Sequence, residues 1–109
     1  MKPNTPSALA KKALSATQVI AQLAKLENWK LHGDGAELAI EKTFHFAGFL
    51  QTMAFANAVA FLAENRNHHP ELLVQFSRCS VRWRTHDVQG ISLADFDCAA
   101  RVDALTHSD

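Results

Sequence analysis

Helical and alternating hydrophobic spacings take turns along the chain and divide it into seven elements. Val19, Ile20, Leu23 and Leu26 recur at helical spacing, which predicts a first amphipathic helix of about three turns. Ser15-Ala16-Thr17-Gln18 stands at its start with the S-x-x-Q spacing of a capping box, in which serine and glutamine each satisfy an otherwise orphan amide. The helix ends by Asn28. Trp29 and Leu31 then begin an extended piece, and Gly33-Asp34-Gly35 tolerates the positive φ of a tight turn. Leu38, Ile40 and Phe44 alternate with Glu41 and Thr43, although Lys42 breaks the apolar face. The two pieces make a hairpin.

From about residue 46 to 65 the period is helical again, with Phe46, Leu50, Met53, Phe61 and Leu62 among the apolar positions. Ala54, Ala56, Ala58, Ala60 and Ala63 favour helix and allow a neighbour to approach closely. This segment is assigned to core packing. Pro70 disfavours helical geometry at His69, so the helix stops before it. Leu72, Val74 and Phe76 share one parity and Val81, Trp83 and Thr85 another, which predicts two strands with a turn or crossing over Ser77 to Ser80. Arg82, Arg84 and His86 have the opposite parity from Trp83 and project away from its core face. After a Val88-Gln89-Gly90 loop, Ser92-Leu93-Ala94-Asp95 is a second capping-box-like start. Phe96, Ala99, Ala100 and Val102 support a final helix that ends before His107. Helix, strand, strand, helix, strand, strand, helix is the order of an α+β layer structure.

A chain of 109 residues supports one domain. That domain is expected over 15–109, preceded by a mobile tail over 1–14, whose prolines and polar residues offer no face to bury. Eleven basic residues balance eleven acidic ones, so charge advertises neither nucleic acid nor an anionic membrane. The opening residues, with Pro3 and Pro6 and no apolar run, predict no signal peptide, and His45, Gln51, Thr52 and Asn57 interrupt the most apolar stretch too often for a membrane span. Cys79 and Cys98 fit neither a metal spacing nor a disulfide framework, which makes a reducing cytoplasm the default. Both read as small core residues rather than nucleophiles.

Six histidines are the compositional exception. His32, His45 and His107 are assigned to the surface or to satisfied polar positions. His68 and His69 are adjacent, precede Pro70, and sit at a helix-to-strand junction, with His86 at the end of the next alternating region. Metal binding suits them poorly. Adjacent extended residues face opposite ways, and no cysteine stands three or four residues from either. Acid–base chemistry suits them better, because an imidazole exchanges protons near neutral pH without large tuning. Asp95 holds the N3 position of a helix, where a carboxylate is favoured whatever its further role.

The joint string Glu64-x-x-x-His68-His69-Pro70, Phe76, His86 and Asp95 resembles the signature of pterin-4a-carbinolamine dehydratases. Thr85-His86-Asp87 and Gly90-Ile91-Ser92 are similar to that family's strand-to-helix connection, and the likeness runs from about Leu14 to Leu105, including Trp29 and Phe44-x-Phe46-x-x-Phe49. The resemblance implies a four-stranded antiparallel sheet with three helices packed on one face, assembled as a dimer or tetramer. It implies loss of water from 4a-hydroxytetrahydropterin to give quinonoid dihydropterin in pterin recycling, without metal or organic cofactor. On the same basis His68, His69, His86 and Asp95 are the catalytic set, with Asp95 orienting His86. Glu64, Asn67, Pro70 and Thr85 are assigned to the pterin. Within the set, His68 and His86 are the expected acid–base pair and His69 binds substrate.

Two departures lie beside this pocket: Leu72-Leu73-Val74, where the family often has an aromatic and then a polar residue, and Gln89, where a second glycine is common. The family also contains pterin-dehydratase-like Rubisco assembly factors of carboxysome-forming bacteria, with weak or absent dehydratase activity. Under that alternative the histidines are a remnant, and Arg82 and Arg84 bind protein. A third branch, dimerisation cofactors of transcription factors, has no specific support in this sequence.

Overall fold

The computed structural model describes residues 11–106. Three helices and four strands follow the expected order, with α1 at Ala16–Leu23, β1 at Lys30–His32, β2 at Ala39–His45, α2 at Phe49–Arg66, β3 at Glu71–Gln75, β4 at Arg78–Trp83 and α3 at Leu93–Thr106. The strands form one antiparallel sheet in the order β1-β2-β4-β3. Its register puts Ile40 opposite Trp83, Lys42 opposite Val81, and Phe44 opposite Cys79, with Leu72 and Val74 completing the rows on β3. That face packs on Phe55, Val59, Ala63, Ala99 and Val102 of α2 and α3. The other face carries Glu41, Arg82 and Glu71 in one row, where Arg82 pairs with both carboxylates.

The local signals mostly act as written. Ser15 and Gln18 close both bonds of the capping box. Gly33 takes φ 82°, and a Cβ there would stand 2.9 Å from the Glu37 carbonyl oxygen, so the turn requires glycine. Lys42, the break in the apolar face of β2, does point to the helices, where its Nζ meets Asp103 Oδ1 at 2.8 Å. The same carboxylate accepts the indole N–H of Trp29, so one acid on α3 satisfies two polar groups under the sheet.

Three expectations need correction. The β3–β4 connection is a two-residue turn at Phe76 and Ser77, and β4 already begins at Arg78. Helix α2 starts at Phe49 because Phe46 donates its amide to the Ser77 carbonyl, which holds that residue against the sheet. Its core face is Thr52, Phe55, Ala56, Val59 and Ala63, while Leu50 is 83% and Phe61 78% exposed. The segment is helical, but two of its apolar positions lie on a second, outward face. Of the expected mobile tail, positions 1–10 lie outside the described residues, as does His107. Leu14 packs on the core and donates its amide to Ile91 at 2.9 Å, so that part of the segment is anchored.

Gln89 has φ 51° and ψ 46°, the left-handed region that favours glycine. Its side chain is exposed. Gln89→Gly is expected to stabilise the fold by about 0.5–1 kcal/mol, the left-handed penalty of a side chain less the extra freedom glycine gives the unfolded chain. A urea titration checks this, and a midpoint below wild type would contradict it.

Candidate active site

The end of α2 sets the first functional side chain. Asn67 adopts φ 51°, ψ 44°, and its amide and that of His68 close on the Glu64 and Ala63 carbonyls in a Schellman pattern. Asparagine tolerates this conformation better than most residues. The chain then turns out of the helix, Pro70 keeps it extended, and His68 swings inward. Its buried ring lies nearly parallel to the fully buried indole of Trp83, with centroids 5.5 Å apart and planes at 10°.

Asp95, on the first turn of α3, reaches the same place from the opposite side. Its Oδ1 is 2.6 Å from His68 Nε2. Its Oδ2 accepts the Thr85 hydroxyl at 2.8 Å and the Ser92 backbone amide at 2.9 Å. Thr85 Oγ1 in turn lies 2.5 Å from Ser92 Oγ. These groups meet because Thr85 and Gly90 bridge across the short 3-10 turn His86–Val88, which brings the end of β4 back to the start of α3. Asp95, Thr85 and Ser92 are each at most 1% exposed. The carboxylate is thus a helix cap and a histidine partner at once.

The expected pairing of Asp95 with His86 is not the one observed: Asp95 holds His68, and His86 is exposed at the start of the 3-10 turn. His69 points the other way from His68, as adjacent extended residues do, and its Nε2 is 2.8 Å from Glu64 Oε2. A cleft of about 190 Å³ is lined by Lys11, Asn67, His68, His69, Arg84, Thr85, His86 and Asp87. It therefore gathers all three histidines, Asn67 and Thr85. Glu64 and Pro70 are not in its wall, and the Thr85 hydroxyl is already engaged with Asp95 and Ser92. Sequence reasoning missed Lys11, Arg84 and Asp87 as lining, and Ser92 as an anchor. The strand parity that Arg84 shares with His86 was the available signal for one of them. For Ser92 it was the capping-box spacing to Asp95.

Larger hollows exist elsewhere, including an α2–α3 groove of about 580 Å³ beside Phe61, Leu62 and Leu105. Its two arginines, Arg66 and Arg101, both pair with Asp97. Cys79 and Cys98 are unpaired and buried. Burial, with Asp97 and Asp95 adding to it, pushes the Cys98 thiol up to about 12, and burial also raises that of Cys79. Both stay protonated and behave as packing residues, as their sequence context suggested. Among the described residues no helix is long and apolar enough to cross a membrane.

A family model described as pterin 4 alpha carbinolamine dehydratase matches residues 12–105. A protein of Paracidovorax citrulli with the provisional name pterin-4-alpha-carbinolamine dehydratase is 56% identical over 99 residues, covering 91% of this chain and 85% of its own. One of Bdellovibrio bacteriovorus, with the same provisional name, is 44% identical over 97 residues, covering 85% and 78%. Among solved structures, a transcriptional coactivator/pterin dehydratase from Brucella melitensis superposes with a TM-score of 0.81 at 26% identity, covering 88% of this chain and all of the other. A pterin dehydratase-like protein identified as a RuBisCO assembly factor in the alpha-carboxysome gives a TM-score of 0.63 at 28% identity, over 76% of this chain and 94% of the other.

Proposed function

The chain belongs to the pterin 4 alpha carbinolamine dehydratase family, and from that premise we propose that it removes water from a 4a-hydroxytetrahydropterin by histidine acid–base catalysis. The observation that carries this reading is the meeting of His68, His69 and His86 on one small cleft. In the reaction the N5–H bond breaks and its electron pair forms the C4a=N5 bond. The C4a–O bond breaks as the hydroxyl takes up a proton and leaves as water. One group must accept a proton and another must give one, and no electrons enter or leave. His68 and His86 are the acid–base pair, His69 binds the pterin, and Glu64 orients His69 through their 2.8 Å contact. Arg84 and Asn67 add donors at the rim of the same cleft.

A self-associating protein in the cytoplasm fits the rest of the molecule. Leu50 and Phe61 on α2, and Leu73 and Phe76 on or beside the edge strand β3, are large apolar side chains that the described residues of a single copy leave in solvent. Two free buried thiols suit a reducing compartment. The product, a quinonoid dihydropterin, places the activity in pterin recycling.

Likeness to the alpha-carboxysome protein favours one second reading, a Rubisco assembly factor with little dehydratase activity. The arginines that would serve it are not free charges: Arg82 pairs with Glu41, and Arg84 lies 3.4 Å from Glu37. Stopped-flow dehydration of synthetic 4a-hydroxytetrahydropterin separates the two. Acceleration well above the spontaneous reaction is expected. A folded protein that gives none would be a reason to abandon the dehydratase and test Rubisco recovery on co-expression.

A further inference from the structure

We infer that Ser92 and Thr85 are positioning residues which, through Asp95, hold His68 as the Nε2–H tautomer and so make Nδ1 its working atom, a proton acceptor. The role of Nδ1 in turnover rests on the dehydratase reading above; the tautomer does not.

The wiring follows from what each group is able to do. A backbone amide only donates, so the Ser92 N–H, 2.9 Å from Asp95 Oδ2, makes that atom an acceptor. The single Thr85 hydroxyl proton is directed at the same oxygen, 2.8 Å away. Thr85 Oγ1 is then left to accept, and Ser92 donates its own hydroxyl across the 2.5 Å contact between them. Serine thus contributes twice, once by its amide and once by bracing the threonine. With Oδ2 fixed as an acceptor, Oδ1 is the atom that faces His68 Nε2 at 2.6 Å, and the imidazole fills that bond by donating. A neutral ring carries one N–H, so Nδ1 keeps its lone pair. His68 is stacked on Trp83 and buried apart from its contribution to the cleft wall, which leaves the ring no freedom to exchange the two nitrogens by flipping.

This makes His68 the group that takes the N5 proton, and it leaves exposed His86 to supply the proton for the departing hydroxyl. Donation from the far nitrogen to a fixed carboxylate stabilises the imidazolium where it forms. The assignment gives a role to the buried hydroxyls of Thr85 and Ser92, which are engaged with Asp95 and with each other. They decide which way its two oxygens are used.

Asp95→Asn gives a discriminating test. The side-chain amide has one acceptor and one donor end, and the Ser92 N–H and Thr85 O–H require its oxygen at the Oδ2 position. Its NH2 then faces His68 Nε2, which must accept, so the ring proton moves to Nδ1. Long-range 1H–15N spectra of ring-labelled histidine, with the His68 signals identified by their loss in His68→Gln, read both tautomers without substrate. The expected result is Nε2–H in the wild type and Nδ1–H in Asp95→Asn, with kcat lowered roughly 10²–10⁴-fold and KM within about threefold. Thr85→Val, which removes one of the two donors to Oδ2 and keeps the shape, is expected to show both tautomers in Asp95→Asn/Thr85→Val. An Nδ1–H wild type, or a folded Asp95→Asn protein that keeps Nε2–H, overturns the wiring. A reversed tautomer with wild-type kcat overturns the working role of Nδ1 alone. Absence of catalysis in the wild type itself would instead remove the dehydratase reading, while the spectra still report on the wiring.

Discussion

His86→Ala is expected to lose dehydration by roughly 10²–10⁴-fold in kcat, the range a positioned general acid or base supplies, and to unfold at the wild-type urea concentration. Both halves follow from where His86 sits. Its ring is exposed at the start of the 3-10 turn, so truncation opens no cavity and strands no buried partner. It nevertheless lines the same cleft as His68, and elimination of water needs a proton delivered as another is removed. His68→Ala is expected to fall as far in kcat but to lose stability too. It removes a ring stacked on Trp83 and leaves Asp95 Oδ1 without its partner. With the two groups serving one proton exchange, as proposed, the double variant should be little slower than the slower single one. His69→Ala should mainly raise KM. Stopped-flow traces of the three single variants and the double, at matched folded concentration, provide the comparison. Full activity in His86→Ala would remove this residue from the mechanism and leave the leaving hydroxyl without its donor.

Most of the fold was legible because its signals are local. The Ser15–Gln18 box, the Gly33 turn, the stop before Pro70 and the alternation through Trp83 each act within a few residues, and the structure contains each of them. What was not legible depends on pairing across the chain. Lys42 looked like a flaw in β2 because its partner, Asp103, lies on the last helix. Leu50 and Phe61 were counted as core because periodicity reports an apolar face without saying what covers it. The histidines were found by their type and spacing, and the cleft does gather them. The partner of Asp95 was not found, because local order puts His86 nearer to it in sequence while the Schellman turn at Asn67 sends His68 inward. Ser92 was visible only as a cap, and its amide and hydroxyl acquire their further role when the loop folds back on Thr85.

Trp83→Ala should carry the largest stability loss of any single change considered, about 3–5 kcal/mol. The indole is fully buried near the end of β4, opposite Ile40 in the register, and it is the largest side chain in the core with no exposed surface. Truncation leaves a cavity between sheet and helices and withdraws the surface on which His68 rests. Small domains of this size have total stabilities of about 5–15 kcal/mol, so the variant is still expected to fold at low temperature and to show a sharply lower urea midpoint. Trp83→Phe is the informative control. Among the described residues Trp83 Nε1 has no hydrogen-bond acceptor, so replacing the indole by a phenyl ring removes a buried, unpaired donor while it keeps an aromatic face for His68. That relief offsets part of the lost packing, and Trp83→Phe should retain most of the stability and most of the kcat. Far-UV circular dichroism in urea, at one fixed protein concentration because self-association shifts the midpoint, measures both variants without relying on tryptophan fluorescence. If Trp83→Ala unfolded within 1 kcal/mol of wild type, the ring would not be the keystone of this face. If Trp83→Phe lost as much as Trp83→Ala, the indole N–H would have to be satisfied after all.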